Sequence, residues 1–178
     1  MDKIDRIERD EMYMQIALVV SQRSTCLSRH VGAVLIKDGH IISTGYNGAP
    51  KGVKNCFEKG MCIRKSKESG KKLEYCMAAH AESNAIAQAA YQGIKTEGAT
   101  LYCMYSPCSF CAKIIINAGI KEFVYIEEYT DLLGMDMLKE TKIILRKIKH
   151  PKIYIDILDI DKKILKEIRD KFGLYKDE

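Results

Sequence analysis

The chain has 178 residues, of which 47% are hydrophobic and 30% charged, and its net charge is +5. This composition is ordinary for a globular protein of one domain, which we expect to cover residues 1–178. No run approaches the ~18 apolar residues of a membrane span, and the charged N-terminus MDKIDRIERD lacks the apolar core of a secretory signal. We therefore expect a cytoplasmic protein without membrane contact, whose seven cysteines are reduced and available for metal binding or catalysis.

Hydrophobic periodicity and turn residues predict the elements in chain order. The first half contains a helix at 7–22, a hairpin of two strands within 31–47, a long loop at 47–78, and a helix from Ser83 to about 92. A strand at 99–105 and a helix at 106–119 follow, with Pro107 in the first turn of this helix and Gly119 at its end. The remaining elements are a strand at 121–127, a helix at 131–140, strand-like runs at 141–148 and 152–160, and a last helix at 161–172. This order predicts an α/β fold, in which helices flank a mixed sheet.

Two short motifs stand at the starts of consecutive predicted helices. His80 and Glu82 in HAE stand two residues apart, a spacing at which helical side chains do not face each other. Cys108 and Cys111 in PCSFC are three apart, so both thiolates can approach one ion from a single helical turn. If His80 lies at or before the first turn, one imidazole and two thiolates give three ligands for Zn²⁺. A catalytic zinc site keeps the fourth position open for water.

Glu82 is the predicted proton-transfer residue of this zinc site. Taken singly, a CxxC pair could be a structural zinc knuckle or a buried pair, and HxE could be a polar helix cap. Together, with a strand between them, they match the H-x-E…P-C-x-x-C signature of zinc-dependent nucleobase deaminases. Such enzymes attack an amidine-like ring carbon with water, and a carboxylate takes up and returns the protons.

Longer segments make the resemblance more specific. RSTCLSRHVGAVLIKDGHIISTGYNGAPKGVKNC, HAESNAI and SPCSFCAKIIINAGIKEFVY, within about residues 10–130, together resemble the deoxycytidylate (dCMP) deaminase family. The resemblance implies a cytidine deaminase-like α/β/α sandwich with a central mixed five-stranded sheet. It implies conversion of dCMP to dUMP and ammonia, which supplies dUMP for thymidylate synthesis. The substrate contacts that it implies are Asn47 to the sugar, Arg29 to the 5′-phosphate, Tyr125 closing the base or phosphate pocket, and Ala81 and Ser106. Two alternatives stay open: Arg29 could be a surface side chain beside a strand, and Tyr125 could be an aromatic residue of the core.

Four further cysteines suggest a second metal. Cys26 precedes the first strand, and Cys56, Cys62 and Cys76 lie in the long loop, where a closed Cys₄ zinc site would hold the chain in shape. The resemblance places ligands of a structural zinc at positions that match Cys26 and Cys56. The alternative is that two or more of these thiols are small buried hydrophobic side chains, as we expect for Cys103 in its strand.

Other properties of the family are expectations for this chain. Relatives are commonly homohexamers that dCTP activates together with Mg²⁺ and that dTTP inhibits. The chain departs from the family in carrying Ser28-Arg29 where many relatives have two arginines. Its C-terminal extension after about residue 140 is longer than expected, and we assign it only packing or oligomer contacts.

Three alternatives remain open from the sequence. The chain could deaminate free cytidine, or an adenosine in tRNA, although a charge of +5 spread over Lys-rich loops does not clearly supply the basic face that nucleic acid needs. It could also be a non-catalytic nucleotide- or DNA-handling protein that kept the zinc fold. Glu82 separates this last class from the enzymes, because a protein without catalysis has no need for a carboxylate beside the metal.

Overall fold

A mixed five-stranded sheet forms the centre of the computed structural model, which describes residues 6–64 and 69–151. The strands are β1 (Gly32–Lys37), β2 (His40–Tyr46), β3 (Thr100–Tyr105), β4 (Glu122–Glu127) and β5 (Ile144–Lys147). Their order in the sheet is β2-β1-β3-β4-β5. β1 pairs antiparallel with β2 and β3, whereas β3, β4 and β5 are parallel. The predicted mixed sheet of five strands is confirmed.

Helices cover both faces of the sheet. They are α1 (Arg9–Ser21), the short α2 (Cys56–Lys59), α3 (Ala81–Tyr91), α4 (Ser109–Asn117) and α5 (Leu132–Lys139). On one face, Met14 of α1 packs with Val34 and Val124 of the sheet. On the other face, α3, α4 and α5 bury their apolar side chains against Leu35 and Phe123. The predicted α/β/α sandwich is therefore confirmed.

The hairpin at the sheet edge brings β2 close to α3. Asp38 and Gly39 form its turn with φ of 51° and 78°, the backbone that a two-residue I′ turn requires. Farther along β2, a Cβ added to Gly45 would lie 2.3 Å from the carbonyl oxygen of Ala81. Only glycine permits this approach, which fixes the first turn of α3 against the sheet.

Two helices begin at other residues than the sequence pattern predicts. α3 begins at Ala81 rather than Ser83, and His80 is its N-cap. α4 begins at Ser109, so Pro107 precedes the helix instead of lying in its first turn. The reason is that Cys108 is the N-cap and has an extended backbone (φ −71°, ψ 168°). Gly119, with φ of 69°, follows α4 as predicted.

The sheet continues past residue 140, where the sequence analysis placed the start of the extension. Arg146 in β5 donates to both carboxylate oxygens of Asp10 in α1 and to Glu122 in β4. Tyr102 in β3 also donates to Asp10, over 2.6 Å. These contacts join the last strand to α1 and to the sheet. The elements predicted at 152–160 and 161–172 lie outside the described residues.

The long predicted loop at 47–78 has local structure. It contains α2, which Asn55 and Glu58 close with a reciprocal capping box, and a turn of 3₁₀ helix at Leu73–Tyr75. Within the described residues, no helix is both long and apolar enough to cross a membrane.

Candidate active site

Three ligand atoms meet between the first turns of α3 and α4. The Sγ atoms of Cys108 and Cys111 lie 3.3 Å and 3.4 Å from Nδ1 of His80. His80 and Cys108 are both N-caps, so their extended backbones turn the side chains toward the space between the helices. Cys111 lies on the turn that follows Cys108. The structure thus brings together the three residues that the sequence predicts as zinc ligands.

The donor set fits a zinc ion. All three atoms lie within 4.8 Å of one another, and one nitrogen with two sulfurs is a usual ligand set for Zn²⁺. Hydrogen bonds from Cys111 and then His80 lower the pKa of the Cys108 thiol to about 4, against the effect of burial. A thiolate at neutral pH is the form that binds metal. We call His80, Cys108 and Cys111, together with Glu82, the candidate zinc centre.

Glu82 is buried beside these ligands. Its side chain is 5% exposed and lines the same cavity as His80 and Cys108. Burial raises the pKa of its carboxyl group, and the nearby imidazole of His80 partly opposes this effect. A carboxyl group whose pKa is moved toward neutrality can both accept and release a proton.

Two contacts with the first turn of α5 support the segment that carries Cys108, one a close backbone approach and the other a hydrogen bond. A Cβ added to Gly134 of α5 would lie 2.2 Å from the carbonyl oxygen of Pro107, so α5 packs directly on the segment that carries Cys108. Asp131 accepts a hydrogen bond of 2.8 Å from the backbone N–H of Ser109, which satisfies one donor at the start of α4. Sequence reasoning did not identify these contacts, because both depend on the packing of α5.

A cavity of about 320 Å³ opens onto the zinc centre. Its walls contain four of the five predicted substrate residues, which are Arg29, Asn47, Ala81 and Ser106. The structure does not bring Tyr125 to this cavity. That side chain is 7% exposed and packs in the core, with its ring centroid 6.2 Å from that of Phe123. Tyr105 and Tyr129 are the tyrosines that line the cavity.

Arg29 lies between those two tyrosines. Its Cζ atom is 5.4 Å from the ring centroid of Tyr105 and 5.6 Å from that of Tyr129, distances at which a guanidinium is attracted to an aromatic face. Nη2 also donates to Ser69 over 3.2 Å. The sequence gives only a weak signal for this arrangement, because each tyrosine simply stands at or after the end of a strand.

Asn47 holds the backbone that carries Arg29. Its Oδ1 accepts from the Val31 N–H over 2.8 Å, and its Nδ2 donates to the carbonyl oxygen of Arg29 over 2.7 Å. The amide is 7% exposed and borders the cavity. Ser106 has a similar role on the other side, since its hydroxyl accepts a 2.7 Å hydrogen bond from the Tyr129 N–H. Both side chains therefore shape the wall as well as facing it.

The four remaining predicted ligands lie on the loop side of the cavity. Cys26, Cys62 and Cys76 line it, and Cys56 is buried nearby. Burial raises the pKa of Cys56, and the charges of the other three thiols raise it further. Among the described residues, however, only His80, Cys108 and Cys111 form a set of three donors within 4.8 Å.

The sequence matches one protein family over most of its length. The profile described as "Cytidine and deoxycytidylate deaminase zinc-binding region" matches residues 7–127. The deoxycytidylate deaminase of Saccharomyces cerevisiae is 37% identical over 138 residues, which are 77% of this chain and 44% of the yeast protein. That of Enterobacteria phage T4 is 43% identical in an alignment of 148 residues that covers 65% of this chain and 76% of the phage protein.

A solved structure also matches the fold. The dCMP deaminase of cyanophage S-TIM5, crystallised with dCMP and dUMP, is 33% identical and superimposes with a TM-score of 0.68, covering 80% of this chain and 98% of that one. The chain spans less than half the length of two curated relatives, 44% of the S. cerevisiae protein and 37% of the Schizosaccharomyces pombe protein.

Proposed function

The chain belongs to the cytidine and deoxycytidylate deaminase family, and from this premise we propose that it hydrolyses dCMP to dUMP and ammonia. The observation that carries the proposal is the buried carboxylate of Glu82 beside three zinc-type ligands, in a cavity that also contains Arg29. The relatives named deoxycytidylate deaminase and the cyanophage enzyme crystallised with dCMP and dUMP support the choice of substrate.

His80, Cys108 and Cys111 would hold the catalytic zinc. When bound, zinc supplies Lewis-acid chemistry that lowers the pKa of water from 15.7 toward about 7. Glu82 is the only carboxylate among the described residues that line the cavity, so proton movement falls to it. Its burial excludes bulk water, which would otherwise compete for the same protons.

Glu82 carries the proton transfers of the proposed reaction. The oxygen of water forms a bond to C4 of the cytosine ring, and the carboxylate takes the proton that water loses. Glu82 gives this proton to N3 of the ring, then takes the proton of the new hydroxyl group at C4 and delivers it to the amino group on the same carbon. The C4–N4 bond then breaks, ammonia leaves, and C4 becomes the carbonyl of uracil.

Arg29 and Asn47 would select the substrate. A guanidinium suits the 5′-phosphate, because charge-assisted hydrogen bonds to phosphate are strong and directional. The amide of Asn47 borders the cavity beside Arg29, where we assign it the sugar. Ala81 and Ser106 would contact the substrate from the first turn of α3 and from the segment before α4. We propose no substrate contact for Tyr125, since its ring lies in the core.

Ammonia release from dCMP, cytidine, CTP and an RNA hairpin, measured side by side on zinc-loaded protein, tests this function. We expect the highest kcat/KM for dCMP. Equal efficiency on cytidine would favour a nucleoside deaminase, and preference for the hairpin would favour a tRNA enzyme. If none of the four compounds releases ammonia in the presence of zinc, the result would support a non-catalytic nucleotide-handling protein.

A second, structural zinc held by Cys26, Cys56, Cys62 and Cys76 is a separate proposal. The charges of Cys26, Cys62 and Cys76 contribute to the raised pKa of Cys56, which supports it, although the four thiols would have to draw closer to hold one ion. Cys76 lines the same cavity as His80. Elemental analysis should give two zinc ions per chain. One ion, with Cys62 and Cys76 readily alkylated in the native protein, would contradict the second site.

The remaining predictions need further measurements. The resemblance predicts a homohexamer, activation by dCTP with Mg²⁺, and inhibition by dTTP. The composition and length predict a cytoplasmic location and a single domain over residues 1–178 with a C-terminal extension. Light scattering after gel filtration should give six times the mass of 20.2 kDa. Assays with each nucleotide, with and without Mg²⁺, should show opposite effects of dCTP and dTTP.

A further inference from the structure

Two guanidinium groups face the cavity, although only one was predicted. Arg29 reaches it from the segment before β1, and Arg64 reaches it from the loop at 47–78. Among the described residues that line the cavity, they are the only Lys or Arg side chains. Ser28, next to Arg29, lines the cavity without a charge. The segment before β1 therefore contributes one positive charge, and the loop contributes the second.

Arg64 has one hydrogen bond to the loop and one buried donor that no described residue satisfies. Its Nη2 donates to the carbonyl oxygen of Lys71 over 2.9 Å. Its Nε atom is buried and has no hydrogen-bond partner among the described residues. A buried N–H without an acceptor is unfavourable, and proteins rarely keep one unless a ligand or water satisfies it.

Arg64 also shares a cavity with the zinc centre. His80, Glu82 and Cys108 line the same cavity as Arg64. The guanidinium is therefore part of the wall that a substrate in this cavity would meet.

We propose that Arg64 is a second phosphate-binding residue, whose Nε–H donates to the 5′-phosphate that Arg29 also binds. The inference rests on the proposed function, because the phosphate is that of dCMP. A phosphate monoester carries about −1.5 to −2 charges at pH 7, so a single guanidinium leaves part of this charge unmatched. Two guanidiniums match it and select a nucleotide over a nucleoside.

Binding of the product and its nucleoside measures the phosphate contribution without turnover. Isothermal titration of dUMP and deoxyuridine is carried out on zinc-loaded unaltered protein and on Arg64→Ala, Arg64→Lys and Lys71→Ala. Lys71→Ala is the matched control, because it removes a positive charge from the same loop and keeps the carbonyl oxygen that Arg64 contacts. Thermal unfolding of each variant reports whether the fold is retained.

We expect Arg64→Ala to weaken dUMP binding by roughly 10–150-fold, the effect of losing one charge-assisted hydrogen bond. Deoxyuridine binding should stay within about twofold, since it lacks the phosphate that Arg64 would contact. Arg64→Lys should recover part of the loss, because an ammonium keeps the charge without the planar donor geometry. Lys71→Ala should leave both affinities unchanged.

Three results would overturn the proposal. They are an unchanged dUMP affinity in Arg64→Ala, an equal loss for dUMP and deoxyuridine, and a loss in Lys71→Ala as large as in Arg64→Ala. The proposed function fails separately: if the unaltered protein binds dUMP through Arg64 but releases no ammonia from dCMP, the role of Arg64 stands and the catalytic assignment does not.

Discussion

The zinc centre and the arginine side of the cavity are positioned by different means. In the zinc centre, His80 and Cys108 are N-caps of two helices, and their positions follow from the backbone. On the arginine side, Arg29 is placed by contacts of side chains with Ser69, Tyr105 and Tyr129. A residue whose position is set by the backbone can shift little, whereas a long side chain on an exposed segment can change its conformation to fit a ligand.

This difference suggests a division of roles. Chemistry requires atoms held within a fraction of an ångström, which the packed starts of α3 and α4 provide. Substrate choice requires charge near a phosphate, and guanidinium groups on the wall can supply it with less rigid geometry. Variants in the zinc centre should therefore affect every substrate equally, whereas variants of the two cavity arginines, Arg29 and Arg64, should affect only phosphorylated ones.

Glu82→Gln tests the zinc centre and should have the largest effect. The amide keeps the shape of the side chain but cannot take up the proton of water, a contribution of roughly 10²–10⁴-fold or more. We expect kcat to fall by this factor for dCMP and deoxycytidine alike. Zinc content, from elemental analysis, and the thermal unfolding temperature should be retained.

Glu140→Gln, at the exposed end of α5, is the control for the loss of one carboxylate. It should leave kcat unchanged. Near-normal turnover in Glu82→Gln would show that another group moves the proton and would refute the assigned role.

The difference between residues placed by the backbone and residues placed by side-chain contacts also explains which parts of the site could be predicted from the sequence. The candidate zinc ligands could be predicted because the residues of each motif lie close together in the chain, so their local spacing carries the information. Tyr105 and Tyr129 were not identified, since they meet Arg29 only after β3 and β4 pair in parallel. Tyr125 was predicted at the pocket, yet its position on the core side of β4 places it beside Phe123 instead.

Arg29→Ala tests the arginine side. Removing one charge-assisted hydrogen bond should lower kcat/KM for dCMP by roughly 10–150-fold. Deoxycytidine, without the phosphate, should be a much poorer substrate of the unaltered protein and should be nearly unaffected by the variant. Steady-state kinetics on both substrates, with the exposed Arg23→Ala as control, measure the gap between them.

Two outcomes would change the interpretation of Arg29. Equal efficiency for dCMP and deoxycytidine in the unaltered protein would reject the monophosphate as substrate. A gap that persists unchanged in Arg29→Ala would keep the enzyme class and move the phosphate site to other residues.

Gly134→Ala tests whether the zinc centre depends on backbone packing. In a helix without other constraints, this change should stabilise by about 1 kcal/mol. Here the new Cβ would meet the Pro107 carbonyl oxygen at 2.2 Å, so we expect a loss of about 1–3 kcal/mol, which for a domain of this size lowers Tm by several degrees. Zinc should also bind more weakly. Gly48→Ala is the control, because the nearest atom to its new Cβ would be 3.5 Å away. It should keep both the Tm and the zinc affinity of the unaltered protein.

Tyr129→Leu should have the smallest effect, and it asks whether aromatic contacts help to place Arg29. An exposed cation–π contact contributes about 0.5–1 kcal/mol, which corresponds to roughly 2–5-fold in kcat/KM for dCMP. Tyr105 keeps its own contact with the guanidinium, so the loss should not exceed this range, and deoxycytidine turnover should not change. Tyr129→Phe retains the ring and should behave as the unaltered protein. If Tyr129→Phe lowers kcat/KM for dCMP as much as Tyr129→Leu does, the hydroxyl group of Tyr129, rather than its ring, supports the site. If both variants slow deoxycytidine as strongly as dCMP, Tyr129 serves the zinc centre, and the division between the two regions does not hold at this residue.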